Sequence, residues 1–286
     1  MAKHEALFWR KAASWGATRA PEWFARYSPP VIGWLAAAAV PGARQSVRAN
    51  LERIRGAGSL VQNARETLAT FGTYASSLSE AFALGTGDAA RAPVARLLEE
   101  HHLADALAAR RGVILATAHT AGWDVIGPFF LRHHRLDLIL VTNAEPNEAA
   151  GRFHDEARRN AGVRIVHVGD PLAPLGLFRH LRKGGAVALQ IDRQVPGMRA
   201  RNVTILGQPS TIPEGPLMLS QLTGAPIVPI FSERHGYRDY RVHTGAPRTL
   251  PRRATDAELD AVAQHLADAM TRFLRAHPTQ WFHFQR

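Results

Sequence analysis

From residue 113 onward, short apolar runs rich in β-branched residues alternate with stretches long enough to be helices, and few folds accommodate that alternation. The runs fall at 113–117, 138–141, 164–168, 186–191, 203–206, 227–231 and 240–243. Two parallel strands cannot be joined by a tight turn and need a crossover, usually a helix. The spacing therefore predicts an α/β fold, a mostly parallel central sheet flanked by helices. Residues 46–55 and 60–84 read as helices, so a helical N-terminal region precedes the sheet, and 255–276 reads as a closing amphipathic helix. Pro29-Pro30 and Pro41-Gly42 punctuate the start. With 286 residues, 46% of them hydrophobic, the chain can bury a substantial core. The expected division is an interfacial helical segment, 1–45, and one α/β domain, 46–286.

Cysteine is absent, which excludes disulfides, thiolate nucleophiles and cysteine-based zinc sites. The formal net charge is +11, carried by 35 Lys and Arg residues of which only Lys3, Lys11 and Lys183 are lysine. A basic surface favours acidic partners such as anionic lipid head groups or phosphorylated thioester carriers. Arginine clusters without aromatic stacking platforms give little support to nucleic acid, which is not an expected partner. The start lacks a basic n-region followed by a clean apolar h-region, so no cleaved signal peptide is expected. The apolar segment 31–40 is far shorter than the ~20 residues that span a bilayer. Trp9, Trp15, Trp23, Phe24, Tyr27 and Trp34 are interleaved with Arg10, Lys11, Arg19 and Arg26. That mixture suits an interfacial anchor, and equally aromatics that pack the start of the domain.

The candidate chemistry lies behind the first run of the sheet, at His119-Thr120-Ala121-Gly122-Trp123-Asp124. On a continuous helix, positions five apart sit about 140° apart around the axis, so a helix alone cannot pair His119 with Asp124. If His119 ends a strand and Thr120 to Gly122 turn the chain, the imidazole can fold back onto Asp124 in the first helical turn. Asp124 would then hold one ring nitrogen as N–H and leave the other to accept a proton. Taken alone, the two residues also fit a strand-end histidine bonded to a carbonyl and a carboxylate favoured by the helix dipole. Competing motifs are weak. The chain has no G-x-S-x-G and no Walker loop, and Gly56-Ala57-Gly58 and Gly85-Thr86-Gly87 read as turns. His101-His102 and His133-His134 are adjacent pairs that point to different faces and read as surface histidines, so no metal is expected. His154-Asp155-Glu156 reads as a solvated helix face.

The H-x4-D spacing at a strand end resembles the lysophospholipid acyltransferase superfamily, in its branch of bacterial lipid A late acyltransferases and mycobacterial phosphatidylinositol mannoside acyltransferases. Further motifs agree in order: Asp192-Arg193, Ile205-Leu206-Gly207, Glu214-Gly215-Pro216, Thr223-Gly224-Ala225-Pro226-Ile227-Val228-Pro229 and Pro278-Thr279-Gln280-Trp281. The resemblance implies a glycerolphosphate acyltransferase-like fold and an O-acyltransferase that moves a fatty acyl group from acyl-ACP or acyl-CoA to a hydroxyl or amine of a lipid or glycolipid. It implies His119 as general base oriented by Asp124, and substrate binding by Arg158, Asp192, Arg193, Thr120 and Trp123. Asp192-Arg193 follows the 186–191 run and so reaches the same sheet edge as His119. Trp123 either walls an acyl pocket or staples its helix to the sheet, and Glu214 is expected to start a helix. No cofactor is implied beyond the thioester co-substrate, acyl carrier protein or acyl-CoA. The partners are the lipid acceptor and a membrane surface, with peripheral attachment at the cytoplasmic face of the inner membrane. A thioester hydrolase and a non-catalytic lipid-binding protein on the same fold are the alternatives.

Overall fold

The seven apolar runs all become strands, in a computed structural model that describes Lys11 and residues 14–84, 91–145, 147–170, 172–194 and 197–284. In chain order the elements are α1 (Glu22–Ala39), α2 (Pro41–Arg55), α3 (Leu60–Ala83), β1 (Val94–Leu98), α4 (Glu100–Ala108), β2 (Val113–Thr117) and α5 (Trp123–His133). Next come β3 (Leu138–Thr142), α6 (Glu148–Asn160), β4 (Arg164–His167), α7 (Ala173–Arg182), β5 (Ala186–Gln190), β6 (Ala200–Ile205) and β7 (Gln208–Pro213). The chain ends with α8 (Gly215–Thr223), β8 (Ile227–Gly236), β9 (Asp239–Thr244) and α9 (Asp256–Ala276), followed by a short 3-10 turn at Pro278–Gln280.

The main sheet has seven strands in the order β1-β9-β8-β2-β5-β3-β4. Strands β8, β2, β5, β3 and β4 run parallel, and β9 joins β8 as an antiparallel hairpin, so the expected α/β class with a mostly parallel sheet holds. All five residues of β2 are buried, as a strand covered by helices on both faces requires. Two strands were not apparent in the sequence. Strand β1 carries Arg96 at an edge position, and β7 is polar and holds two prolines, so neither shows an apolar run. The run at 203–206 also proves not to join the main sheet. Its strand β6 pairs only with β7, in a two-stranded antiparallel ribbon turned by Leu206 and Gly207, both at positive φ.

Pro29 and Pro30, expected to punctuate the chain, lie inside α1. Tertiary packing overrides their helix-breaking tendency. Gly33 of α1 meets the Phe71 carbonyl and Gly72 of α3 so closely that any Cβ would collide, while Pro30 and Trp34 cover Gly72. Helix α3 is in turn fixed to the sheet by a buried group. Glu80 accepts hydrogen bonds from Arg234 Nη2 (2.7 Å) and Tyr240 Oη (2.5 Å), joining α3 to β8 and β9. Helix α9 starts with a capping box between Thr255 and Glu258, which sets its N-terminus within one residue of the expected position.

The turn after β2 depends on one glycine. Gly122 has φ +78° and packs face-on against the Tyr240 ring, where a Cβ would overlap the ring carbons. Gly122→Ala should therefore combine left-handed strain with overpacking and lower stability by about 2–4 kcal/mol, read from urea unfolding.

Candidate active site

His119 lies two residues beyond the end of β2, and Asp192 two residues beyond the end of β5. These strands are parallel neighbours with Thr117 opposite Gln190, so continuing the same register sets His119 beside Asp192. Ile191 N–H donates to the Thr117 carbonyl (2.7 Å), carrying the pairing toward the site. His119 Nδ1 and Asp192 Oδ1 are 2.8 Å apart. The carboxylate is fully buried while the ring is about a quarter exposed, so its second nitrogen is the side facing the cleft. Burial opposes the charge on Asp192. The His119 ring, the Trp281 indole N–H and Arg193 outweigh that penalty and hold the carboxyl well below the usual carboxylate range.

This arrangement corrects the expected partner of the histidine. Asp124 does sit in the first turn of α5, as predicted, but its carboxylate is taken up by α6: Arg158 Nε donates to Oδ1 at 2.8 Å, and His154 Nε2 lies 3.4 Å from Oδ2. Burial again opposes the charge, and the Arg158 and His154 cations more than offset it, so the Asp124 carboxyl is held low. The reason is geometric. Asp124 faces α6, which brings Arg158 and His154 to its two oxygens, while the β2–β5 register brings Asp192 to His119.

Arg158, unlike its exposed neighbour Arg159, faces inward. It also contacts Asp155 (3.5 Å) and stacks on Trp123 with its guanidinium carbon 5.9 Å from the ring centre. Its charge is thus neutralised by two carboxylates rather than left open for a head group. His154 and Asp155, expected on a solvated face, are buried. His154 bridges Asp124 and Glu145, and Asp155 accepts from His167 Nε2 (2.9 Å), so the charges on α6 are paired inward. Sequence reasoning missed both residues. Only their spacing with Arg158 on one helix face could have pointed to them.

The Thr120 side chain turns into the sheet, where its hydroxyl accepts from Ser232 N–H (3.2 Å); it fixes the turn to β8 instead of reaching a substrate. Arg193 does reach the site edge. Its Nη2 donates to the Phe282 carbonyl (2.7 Å). Trp123 lines both the open cleft and a small apolar cavity beneath α5, walled by Leu115, Ile126, Leu138, Leu140 and Ile230. Glu214 is the N-cap of α8, as expected, and pairs with Arg201 (2.7 Å).

These groups surround a cleft of about 800 Å³ at the carboxyl ends of β2, β3, β4 and β5, where open α/β sheets place their ligands. Among the described residues, the group of side chains arranged to hold a metal is Glu233, His243 and His277, outside this cleft. Its carboxylate already accepts from His277 Nδ1 (2.6 Å) and lies 3.9 Å from Arg241 and 3.5 Å from His243 Nε2.

Residues 2–286 match the family of bacterial lipid A biosynthesis acyltransferases. The chain belongs to that family. It is an acyltransferase of lipid biosynthesis, as the motif order implied. The acyltransferase is 28% identical over 286 residues to a phosphatidylinositol mannoside acyltransferase of Mycobacterium tuberculosis (strain ATCC 25618 / H37Rv), covering 97% of this chain and 87% of the relative. It is 27% identical over 254 residues to the enzyme of the same name from Mycolicibacterium smegmatis, covering 87% and 80%. Among solved structures it aligns with the 1-acyl-sn-glycerophosphate (LPA) acyltransferase PlsC from Thermotoga maritima at 12% identity and a TM-score of 0.40, over 87% of this chain and 97% of that one.

The buried α5–α6 pairing has a pH signature. Burial works against the His154 cation, but Asp124 and Glu145 outweigh it and raise the imidazole above its ordinary value. A group bound more tightly to its proton in the folded state adds stability that is complete below about pH 6.5 and lost as pH rises through the folded value. His154→Gln should remove that decline, so thermal melts taken from mildly acidic to alkaline pH should show a flatter curve than the wild type.

Proposed function

We propose that the protein transfers a fatty acyl group from an acyl thioester, on acyl carrier protein or coenzyme A, to a hydroxyl or amine of a lipid or glycolipid acceptor. The observation that carries this reading is the His119–Asp192 pair at the mouth of the cleft. Asp192 holds Nδ1 in its N–H form, which leaves Nε2 as a base. The acceptor hydroxyl gives its proton to Nε2 as its oxygen attacks the thioester carbonyl, and the C–S bond then breaks. The departing thiolate takes the proton back from the imidazolium, giving a free thiol and an ester. Asp192 stabilises the imidazolium between the two steps, and no acyl-enzyme forms. Arg193 adds positive charge at the wall nearest the pair. In this reading Asp124 and Arg158 keep α5 and α6 together, so that Trp123 stays between the cleft and the apolar cavity where the acyl chain begins.

The two carboxylates separate under mutation. Asp192→Asn leaves the ring in the wrong tautomer and should lower kcat by about 10³–10⁴-fold with little change in KM, and His119→Ala should be at least as damaging. Asp124→Asn strands the buried Arg158 cation and should act first on stability, by about 3–5 kcal/mol. The assay mixes acyl-CoA and acyl-ACP with mannosylated phosphatidylinositol and with a lipid extract, and reads products by mass spectrometry. Acylated lipid formed by wild type and lost in His119→Ala supports the reading. Equal product from both removes the histidine from the mechanism, and thioester loss without acylated lipid identifies a hydrolase.

The acceptor is reached from a membrane surface in this reading. No described helix is long and apolar enough to cross a membrane. Helix α1 instead exposes Trp23 (66%), Tyr27, Ile32, Trp34 and Leu35 (64%), and Arg26 stands exposed among them. Trp15 and Arg19 precede this face, while Trp9 and Arg10 lie outside the described residues. The exposure of Trp23, Tyr27 and Trp34 favours an interfacial anchor over aromatics that only pack the start of the domain. Helix α1 packs along α3, whose Tyr74, Ser77 and Leu78 line the cleft, so one helix pair carries both the apolar face and a cleft wall. This supports a peripheral position on the cytoplasmic membrane face, with residues 1–45 as the contact segment. The double variant Trp23→Ser/Leu35→Ser should lower partitioning onto vesicles containing anionic lipid by about tenfold or more in cosedimentation, with an unchanged melting curve.

A further inference from the structure

The chain crosses the site a second time after α9. Residues 280–282 run antiparallel to the turn that carries His119, with Thr120 and Trp281 forming an isolated bridge. Phe282 N–H donates to the His119 carbonyl (2.8 Å), and Ala121 N–H donates to the Gln280 carbonyl (3.0 Å). The C-terminal segment therefore holds the backbone on both sides of the bridge. Gln280 Oε1 in turn accepts from Arg234 N–H (3.0 Å), tying the segment to β8.

Within this crossing the Trp281 side chain is 5% exposed, and its indole N–H donates to Asp192 Oδ2 at 2.9 Å. The two oxygens of Asp192 are thus assigned to different partners, Oδ1 to His119 and Oδ2 to Trp281. We propose that Trp281 is a positioning residue for acyl transfer, holding Asp192 in the one orientation that supports the His119 imidazole. This rests on the reading of His119 as general base.

The physical case is the carboxylate's burial. The Asp192 side chain has no exposed surface, so no solvent is at hand to replace a lost donor. Without the indole N–H, Oδ2 becomes a buried acceptor with nothing to accept from, which is costly for a charged oxygen. The carboxylate then either rotates away from His119 or takes up a proton more readily. Both outcomes weaken the base, the first through geometry and the second through charge. Trp281 lies behind the cleft-lining Asp192 and is not itself a lining residue, so its effect acts through Asp192.

Replacing the indole N–H by sulfur keeps the shape of the ring and removes only the donor. The test is the full-length protein with benzothienylalanine at 281, compared with wild type, Trp281→Phe, Asp192→Asn and His119→Ala. The isostere should lower kcat about 10- to 100-fold at nearly constant KM, and move the acid limb of the rate profile downward by roughly one pH unit, because an imidazolium that loses its carboxylate gives up its proton more readily. Combined with Asp192→Asn it should add little further loss. Proton NMR supplies a reading that needs no substrate: the His119 Nδ1 proton, protected in the wild type, should broaden or exchange away in the isostere while the melting temperature stays within a few degrees. An isostere with wild-type kcat, acid limb and Nδ1 proton signal would overturn the proposal. So would a loss of stability alone, with no change in the limb. If His119→Ala itself turned over normally, the general-base reading of His119 would be the one that fell, and the Nδ1 signal of the wild type and isostere would still decide whether Trp281 holds the pair.

Discussion

The site depends on a strand register. Strands β2 and β5 lie side by side and parallel, with Thr117 opposite Gln190, and each continues two residues past its last paired position before its functional side chain. Because the two offsets are equal, the imidazole and the carboxylate arrive together. A one-residue slip would turn one of them to the opposite face of the sheet. The buried apolar side chains on β2 and β5 prevent that slip, since every residue of β2 and the first three of β5 are buried. The energy that fixes the pair is therefore the core burial of the strands beneath it. The 2.8 Å contact itself contributes little to holding the sheet together.

Around that register the molecule places two buried ionic groups, each joining a helix to something it would not otherwise meet. Asp124 with Arg158 and His154 locks α5 to α6, and Glu80 with Arg234 and Tyr240 locks α3 to the β8–β9 hairpin. Buried ion pairs of this kind contribute modest net stability, because desolvation offsets most of the attraction. Their geometric demand is high, and here each one flanks the turn at Gly122. Tyr240 packs against that glycine from one side, and Ser232 bonds to Thr120 and Ala121 from the other. The turn carrying His119 is thus held by β8, β9 and the C-terminal segment together.

The division of labour between the two carboxylates follows from desolvation. A carboxylate buried against an arginine is already neutralised, and it has little to offer an imidazole forming a transient cation. Asp192 meets the His119 ring and the Trp281 indole, so its charge lies directly beside the ring that takes a proton. The cleft wall gathers Asp124, Glu145 and Asp155 together with Arg158 and Arg193.

Much of the architecture was legible in the chain itself, because strand and helix periods are local properties. The alternation after residue 113 specified a parallel α/β sheet, the amphipathic pattern over 255–276 specified α9, and His119 and Asp192-Arg193 could be assigned to one sheet edge because each follows an apolar run. What the sequence could not determine was which carboxylate meets the histidine. Asp124 is five residues away and Asp192 seventy-three, and proximity in sequence favours the first. Strand order decided otherwise, by inserting β5 between β2 and β3, and that order is set by how helices on both faces share the core. The same holds for His154 and Asp155, polar residues that can be buried only because their counter-charges arrive from other elements. It holds for Pro29 and Pro30, tolerated inside a helix because α3 packs against it, and for Trp281, whose partner lies across the sheet edge. Local chemistry thus chose the elements and delivered the candidate residues to one edge. Only the packed sheet, by fixing order and register among distant segments, decided which of them meet.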